Sequence, residues 1–337
     1  MTLQTVIIRA DGNSEIGLGH VMRMSALASA LKALGASVSL VYKSCPEQIL
    51  VRFRRKDCHL VRIEDETSLD IELSTLADAN YIVLDGYHFD TAYQENLRMK
   101  TRATLLVVDD NAHLPSYDCD LLLNQNAFID SSLYSGKTNA KLLTGLDYVL
   151  LRDEFIELRQ RTAQPETIRR LLITMGGSDP ENVTAKAVQA AAATPYKFTV
   201  IMGAAGSNIM DIGMQLMAFP QASLIVAPEN MASILAEHDL VVSAGGTTVW
   251  EAAYLGIPNI VIITAANQAG VDRFAKHGAC ISLGLHTAVT VAALSKNIVA
   301  LAQDIGRRRS LSNISTSLVD GKGAARVAGA LLELNGP

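Results

Sequence analysis

The 337-residue chain is 49% hydrophobic and 19% charged with a net charge of −5, which excludes a disordered or fibrous protein and supplies ample core. Its length exceeds the ~250–300 residues at which one hydrophobic core stops growing, so two domains are expected. The acidic balance argues against a surface that tracks nucleic-acid phosphates, and no apolar run reaches the ~18–20 residues of a membrane span. Cys45, Cys58, Cys119 and Cys280 show no ordered spacing, and the opening MTLQTVIIRADG runs into a strand pattern without a signal peptide. A reducing cytoplasm fits both observations.

In chain order, short β-branched runs alternate with helical patterns. TVIIR at 5–9, SVSLVY at 37–42, YIVLD at 81–85, TLLVVDD at 104–110, DLLLN at 120–124 and KLLTG at 141–145 are the expected strands of the first half. Residues 21–34 form the companion helix of the first strand, with Val21, Met24, Ala28, Leu31 and Leu34 on one face and Gly35 as its stop. The basic run Arg52, Arg54, Arg55 and Lys56 reads as a solvated helix face. The polar stretch QRTAQPETIRR at 160–170 breaks the rhythm and sets the domain boundary, giving domains 1–162 and 168–337. Beyond it RLLITM, KFTVIMG, ASLIVA, DLVVSA and PNIVIIT restart the alternation, and GKGAARVAGALLEL at 321–334 is a last amphipathic helix free to pack back on the first domain. The expectation is an α/β chain of two Rossmann-like domains facing across a cleft, with loops at the carboxyl ends of the strands lining that cleft.

Three loops carry candidate chemistry. Gly17-Leu18-Gly19-His20-Val21-Met22 mimics a dinucleotide fingerprint, but Met22 holds the third glycine position and no acid follows the second strand near Lys43, so the fingerprint's own requirements argue against a dehydrogenase. What remains is a turn that delivers His20 to a helix N-terminus, either as a capping side chain or as a general base. Gly245-Gly246-Thr247-Thr248-Val249-Trp250-Glu251 follows a strand and has, in Thr248 and Glu251, the spacing of a capping box. Its glycines and free N–H groups suit a phosphate as well as they suit a plain helix start. Gly176-Gly177-Ser178-Asp179-Pro180-Glu181 makes the same offer, with Pro180 placed for a first helical turn. Asp85-Gly86-Tyr87-His88 and Asp109-Asp110-Asn111-Ala112-His113 end two strands, where turn chemistry and cleft-lining groups are both expected; their acids and histidines lack helical i, i+4 ligand pairs, so no metal site is expected. Asp118-Cys119-Asp120, at a strand start, reads as turn and surface.

With these motifs in order, the chain resembles the UDP-2,4-diacetamido-2,4,6-trideoxy-β-L-altropyranose hydrolases of pseudaminic acid biosynthesis and their spore-coat-polysaccharide-type relatives. RADGNSEIGLGHVMR at 9–23 is the most specific part, followed by DGYHFD at 85–90, DDNAH at 109–113, GGSDPENVT at 176–184, SAGGTTVWEA at 243–252 and ANQ at 266–268. The second half alone is also similar to the nucleotide domain of the lipid II-forming N-acetylglucosaminyltransferase. The resemblance implies a GT-B fold and a metal-independent, cofactor-free hydrolysis in which His20 activates water at the anomeric carbon, with inversion. It implies that Gly246, Thr247 and Thr248 hold the diphosphate, with Gly177 and Ser178 beside them, that Glu251 meets the ribose, and that Met231 of the PENM stretch lies along the uracil. Asn267 and Gln268 would touch sugar or phosphate, and Asp11, Gly17, Gly19, Arg23, Tyr87 and Asn111 would form the first-domain side of the substrate site. The implied partners are a UDP-sugar and water, with a functional link to a sialic-acid-type synthase. An inverting GT-B glycosyltransferase and a non-catalytic nucleotide-sugar-binding module stay open as alternatives.

Overall fold

The computed structural model describes residues 4–13, 16–158, 163–204, 206, 208–268 and 270–334; residues 159–162 of the expected boundary stretch lie outside them. The chain divides into two compact units, Met1–Arg152 with Gly321–Pro337, and Asp153–Asp320. The first contains β1 (Thr5–Ala10), α1 (Gly19–Ala33), β2 (Ser37–Tyr42), α2 (Glu47–Arg55), β3 (His59–Arg62), α3 (Leu69–Leu76), β4 (Tyr81–Asp85), α4 (Thr91–Lys100), β5 (Thr104–Val108), β6 (Leu121–Asn124) and β7 (Lys141–Thr144). The second contains α5 (Asp153–Ile156), β8 (Arg170–Thr174), α6 (Val183–Ala192), β9 (Lys197–Met202), α7 (Ile209–Leu216), β10 (Ala222–Val226), α8 (Met231–Ala236), β11 (Leu240–Ala244), α9 (Thr248–Leu255), β12 (Asn259–Ile263), α10 (Val271–Lys276), β13 (Ile281–Leu285), α11 (Val291–Gln303) and α12 (Ile305–Leu318). Then α13 (Gly323–Glu333) returns to the first unit.

Among the described residues each unit is built on one parallel sheet, ordered β3-β2-β1-β4-β5-β6-β7 in the first and β10-β9-β8-β11-β12-β13 in the second. In both, strand order reverses beside the first strand, between β1 and β4 and between β8 and β11. That reversal opens a crevice at the carboxyl ends of the strands, since consecutive crossovers leave in opposite directions there. The architectural similarity of the two halves is therefore a shared topology.

Side-chain alternation builds the layers. Val6, Ile8, Ala10 and Val83 point to one face of the first sheet and pack with Val21, Met24, Leu27 and Leu31 of α1 and Val327 and Leu331 of α13. Ile82, Leu84, Leu105, Val107 and Leu122 point to the other, under Leu73 and Leu76 of α3 and Leu97 of α4. Both faces of a parallel sheet are covered, which is why its strands read as continuous apolar runs. The second sheet is covered in the same way, with Leu171, Ile173, Val200, Val242 and Ile260 against Ala187 of α6 and Leu294 and Ile298 of α11.

Two sequence expectations need correction, and two strands carry no pattern that predicts them. Leu34 is 54% exposed, because α1 ends at Ala33 and Leu34 is already turning towards Gly35. β3 carries mostly exposed residues at a sheet edge and leaves no apolar run to read. β13, another edge strand, is only partly buried and contains Gly284. Pro180 does not open α6, which starts three residues later at Val183 after Asn182, whose φ is 50°. The basic run falls on α2, where Ile49, Leu50 and Phe53 face the core and Arg54 pairs with Glu47 in solvent.

Because Leu331 is fully buried in the core of the first unit, Leu331→Ala is expected to lower stability by about 2–4 kcal/mol in equilibrium urea unfolding. A loss below about 0.5 kcal/mol, the range of surface substitutions, would remove α13 from that core.

Candidate functional site

In the first unit the site grows from two neighbouring strands. β1 and β4 pair so that Ala10 stands opposite Asp85. After β1 the chain turns at Gly17, whose φ of 81° suits a residue without a Cβ, and enters α1 at Gly19. His20 and Arg23, three residues apart, share one helix face and are both buried. Asp85, with no exposed surface, receives both: His20 Nδ1 lies 2.6 Å from its Oδ1, and Arg23 reaches Oδ1 from Nη2 at 2.6 Å and Oδ2 from Nε at 2.7 Å. Burial by itself raises the Asp85 carboxyl, but the Arg23 charge and His20 override it and hold it well below the usual carboxylate range.

That ionised carboxylate fixes the histidine tautomer. An acceptor-only group at Nδ1 requires the proton there, so a neutral ring carries its lone pair on Nε2. Arg23 Nη2 is 3.2 Å from the same Nδ1 because both donors converge on one oxygen. His20 Nε2 has no hydrogen-bond partner among the described residues, and the ring is 7% exposed. A base oriented by a carboxylate, with its second ring nitrogen unpaired, is the arrangement general-base catalysis needs.

Arg23 also grips Asp110, from Nη1 to Oδ1 at 2.8 Å and from Nη2 to Oδ2 at 3.1 Å. The Tyr87 hydroxyl donates to Asp110 Oδ2 at 3.0 Å, and its ring stands edge-on to His20 with centroids 4.9 Å apart. Asp109 is buried and accepts from Tyr117 Oη, Tyr134 Oη and Ala112 N at 3.0, 2.5 and 2.6 Å. Asn111, between these elements, is exposed and makes no hydrogen bond among the described residues. Asp11 is occupied inside the unit: it accepts from Lys43 N at 2.6 Å, Ser44 N at 3.1 Å and Arg9 Nη1 at 2.6 Å, with His88 Nε2 at 3.4 Å. Burial raises its carboxyl, and these partners, His88 and Arg9 foremost, hold it well below the ordinary value.

In the second unit the loop after β11 presents the backbone. The N–H groups of Gly246, Thr247 and Thr248 have no acceptor among the described residues. The expected capping box does not form: the N-cap is Thr247, in a helical conformation with no side-chain cap bond, so neither threonine hydroxyl is spent on the helix. Gln268 holds the loop from behind, its Oε1 accepting from Gly245 N at 3.1 Å and from Thr264 N and Oγ1 at 2.9 and 3.1 Å. A Cβ on Gly245 would stand 2.9 Å from the Gln268 Cβ, so the position is closed to larger residues. Asn267 shares the short 3-10 turn Ala266–Gln268, and Glu251 is buried in the first turn of α9.

The loop after β8 differs from the expectation. Asp179 places Oδ1 on Val183 N at 3.0 Å and Oδ2 on Thr184 N at 2.8 Å, so a carboxylate of the chain already fills the N-terminus of α6. Gly177 and Ser178 lie partly exposed before it. Met231 is buried at the start of α8, which Asn230 caps through Ser233 N at 3.0 Å.

Among the described residues no group of three or more His, Cys, Asp or Glu is placed to hold a metal ion. Asp85, Asp109 and Asp110 instead face an arginine, three tyrosines and two histidines. Two residues of this centre, Asp85 and Asp110, were not singled out for a role from sequence. The signal was present in two acids at the carboxyl ends of adjacent strands, but only folding reveals that Arg23 joins them.

Residues 171–322 match the glycosyltransferase family 28 C-terminal domain. Over 345 residues, 97% of both chains, the sequence is 26% identical to the spore coat polysaccharide biosynthesis protein SpsG of Bacillus subtilis. It is 24% identical over 272 residues, 78% of this chain and 93% of the relative, to the UDP-2,4-diacetamido-2,4,6-trideoxy-beta-L-altropyranose hydrolase of Campylobacter jejuni. The crystal structure of Anabaena Alr3699/HepE with UDP and glucose superposes with a TM-score of 0.68 at 10% identity, covering 99% of this chain and 100% of that one. The fold is thus the two-domain, Rossmann-like α/β fold of GT-B glycosyltransferases. No helix of the described residues is long and apolar enough to cross a membrane.

Asp85→Asn leaves Arg23 with Asp110 alone and is expected to cost about 3–4 kcal/mol at pH 7, the lower part of the range for a broken buried pair. Because the folded-state pKa of Asp85 is depressed, its contribution is complete above the unfolded value near 3.8 and fades as pH falls through and below it. Urea unfolding at pH 7 and at pH 3 should show the gap between wild type and variant shrinking; an equal gap would contradict the ionised carboxylate.

Proposed function

We propose that the chain is a UDP-sugar hydrolase acting on a diacetamido-trideoxy sugar nucleotide. The observation that carries the reading is the His20–Asp85 pair, a base held in one tautomer with Nε2 open. Its Nε2 takes a proton from water as the water oxygen attacks the anomeric carbon. The bond from that carbon to the β-phosphate oxygen breaks, UDP leaves with the electron pair, and the configuration inverts. Asp85 stabilises the imidazolium that forms, and Arg23 keeps Asp85 ionised.

UDP is the natural charge of the second unit. Unpaired N–H groups at a helix start and two uncommitted threonine hydroxyls match a diphosphate whose charge grows as the bond breaks, so no general acid is required. Glu251 serves the ribose and Met231 the uracil, while Gly177, Ser178, Asn267 and Gln268 complete the nucleotide side. Because the Gln268 Oε1 already holds Gly245 and Thr264, its free amide Nε2 is the group left for the ligand. Tyr87, Asn111 and Asp11 belong to the sugar side, where Asp11 acts through the loop after β2 that it anchors. The relative from C. jejuni carries the same activity in its name, and HepE binds UDP and glucose, which supports this choice of substrate class. The freed sugar is of the kind a sialic-acid-type synthase consumes.

The match to the glycosyltransferase family 28 C-terminal domain favours a second reading, in which the same base deprotonates an acceptor hydroxyl. One assay separates the two. UDP release from UDP-2,4-diacetamido-2,4,6-trideoxy-β-L-altrose, with EDTA and no acceptor, is expected for the wild type and is expected to fall by about 10²–10⁴ in His20→Ala. Release that begins only when an acceptor is added would replace the hydrolase with the transferase.

A further inference from the structure

A second histidine in the first unit is built like the first. His113 Nδ1 lies 3.1 Å from Asp109 Oδ1, just beyond β5, the strand that pairs with β4 and its Asp85. The ring of Tyr87 stands between the two histidines and is edge-on to both, with centroids 4.9 Å from His20 and 5.7 Å from His113 and interplanar angles of 88° and 85°. A surface histidine needs no such support, yet this one is gripped by a carboxylate that is 2% exposed. Two tyrosine hydroxyls and the Ala112 N–H fix that carboxylate in turn. The turn is pinned on its other side by Lys137 Nζ on the Ala112 carbonyl at 2.7 Å, and Ala112 is held at a φ of 51°.

The donors around Asp109 determine what His113 can bind. Burial and the Asp109 charge push the Tyr117 and Tyr134 hydroxyls up, so both stay protonated and donate. With the carboxylate accepting throughout, the His113 proton sits on Nδ1 and the neutral ring presents Nε2 as an acceptor. That Nε2 has no hydrogen-bond partner among the described residues, and the side chain is 38% exposed. Among the described residues no cation pairs with Asp109 as Arg23 pairs with Asp85, so the pair is suited to recognition more than to proton transfer. A phosphate or an acyl oxygen gives this nitrogen nothing to accept, whereas an O–H or an N–H does, and in a diacetamido-trideoxy sugar two ring hydroxyls are replaced by acetamido N–H donors.

We propose that His113 is a specificity-determining residue whose Nε2 accepts a hydrogen bond from an acetamido N–H of the sugar. The proposal rests on the UDP-sugar reading above and adds the sugar substituent to it. His20 acts on the water while His113, across the Tyr87 ring, reads a substituent of the same sugar.

The test is calorimetric titration of the full chain in a His20→Ala background, which keeps the sugar nucleotide intact. UDP and UDP-2,4-diacetamido-2,4,6-trideoxy-β-L-altrose are the two ligands, and the ratio of their Kd values isolates what the sugar adds. Adding His113→Ala is expected to shrink that ratio by about 10-fold, the upper value of one directed hydrogen bond. His113→Gln, which keeps an acceptor oxygen, should recover part of it. UDP binding with an unchanged ratio in His113→Ala overturns the role of His113 alone. Failure of the parent to bind either nucleotide overturns the UDP-sugar reading and this inference together.

Discussion

A single buried carboxylate organises the first unit's chemistry. Asp85 has no exposed surface and accepts from His20 and from two nitrogens of Arg23 at 2.6–2.7 Å. Burying a charge is costly unless it is paired and hydrogen-bonded on all sides, and here the compensation comes from side chains one helical turn apart. The same contacts that make the carboxylate tolerable choose the histidine tautomer. Stability and chemistry therefore have one cause.

The consequences spread outward through Arg23. Its guanidinium joins Asp85, at the end of β4, to Asp110, beyond β5, and Asp110 accepts the Tyr87 hydroxyl. Planar, multidentate donation is what lets one residue bind two carboxylates at fixed angles; a lysine in its place would supply charge without geometry. Residues from α1 and from the loops after β4 and β5 are thereby held in one cluster at the point where strand order reverses.

The second unit uses backbone instead of side chains. Asp179 closes the N-terminus of α6, whereas the start of α9 is left with unpaired N–H groups and threonines that do not cap. Two glycine-rich loops that look alike in sequence thus have opposite characters. One is satisfied within the protein, and the other is suited to an anion supplied from outside.

Periodicity and composition determined much of this by themselves. Apolar runs at regular spacing are obligatory when both faces of a parallel sheet are covered, so β1, β2, β4, β8, β11 and β12 were legible, as was the helix that follows β1. Edge strands β3 and β13 were not, because a half-exposed strand has no need of an apolar run. His20 was legible as a candidate since the glycine turn before it leaves local marks. Its partner Asp85 lies 65 residues away, and Asp110 is joined to Arg23 across 87. Nothing local ties such residues together; strand register and the burial of Arg23 do. The capping box at Thr248 shows the converse, a correct local pattern that the backbone angles of Thr247 set aside. The sequence alone determined two parallel α/β units and the loops that hold the candidate site. Only the tertiary structure decided which acid orients which base, because a tautomer and a buried charge depend on neighbours that the chain brings together by folding.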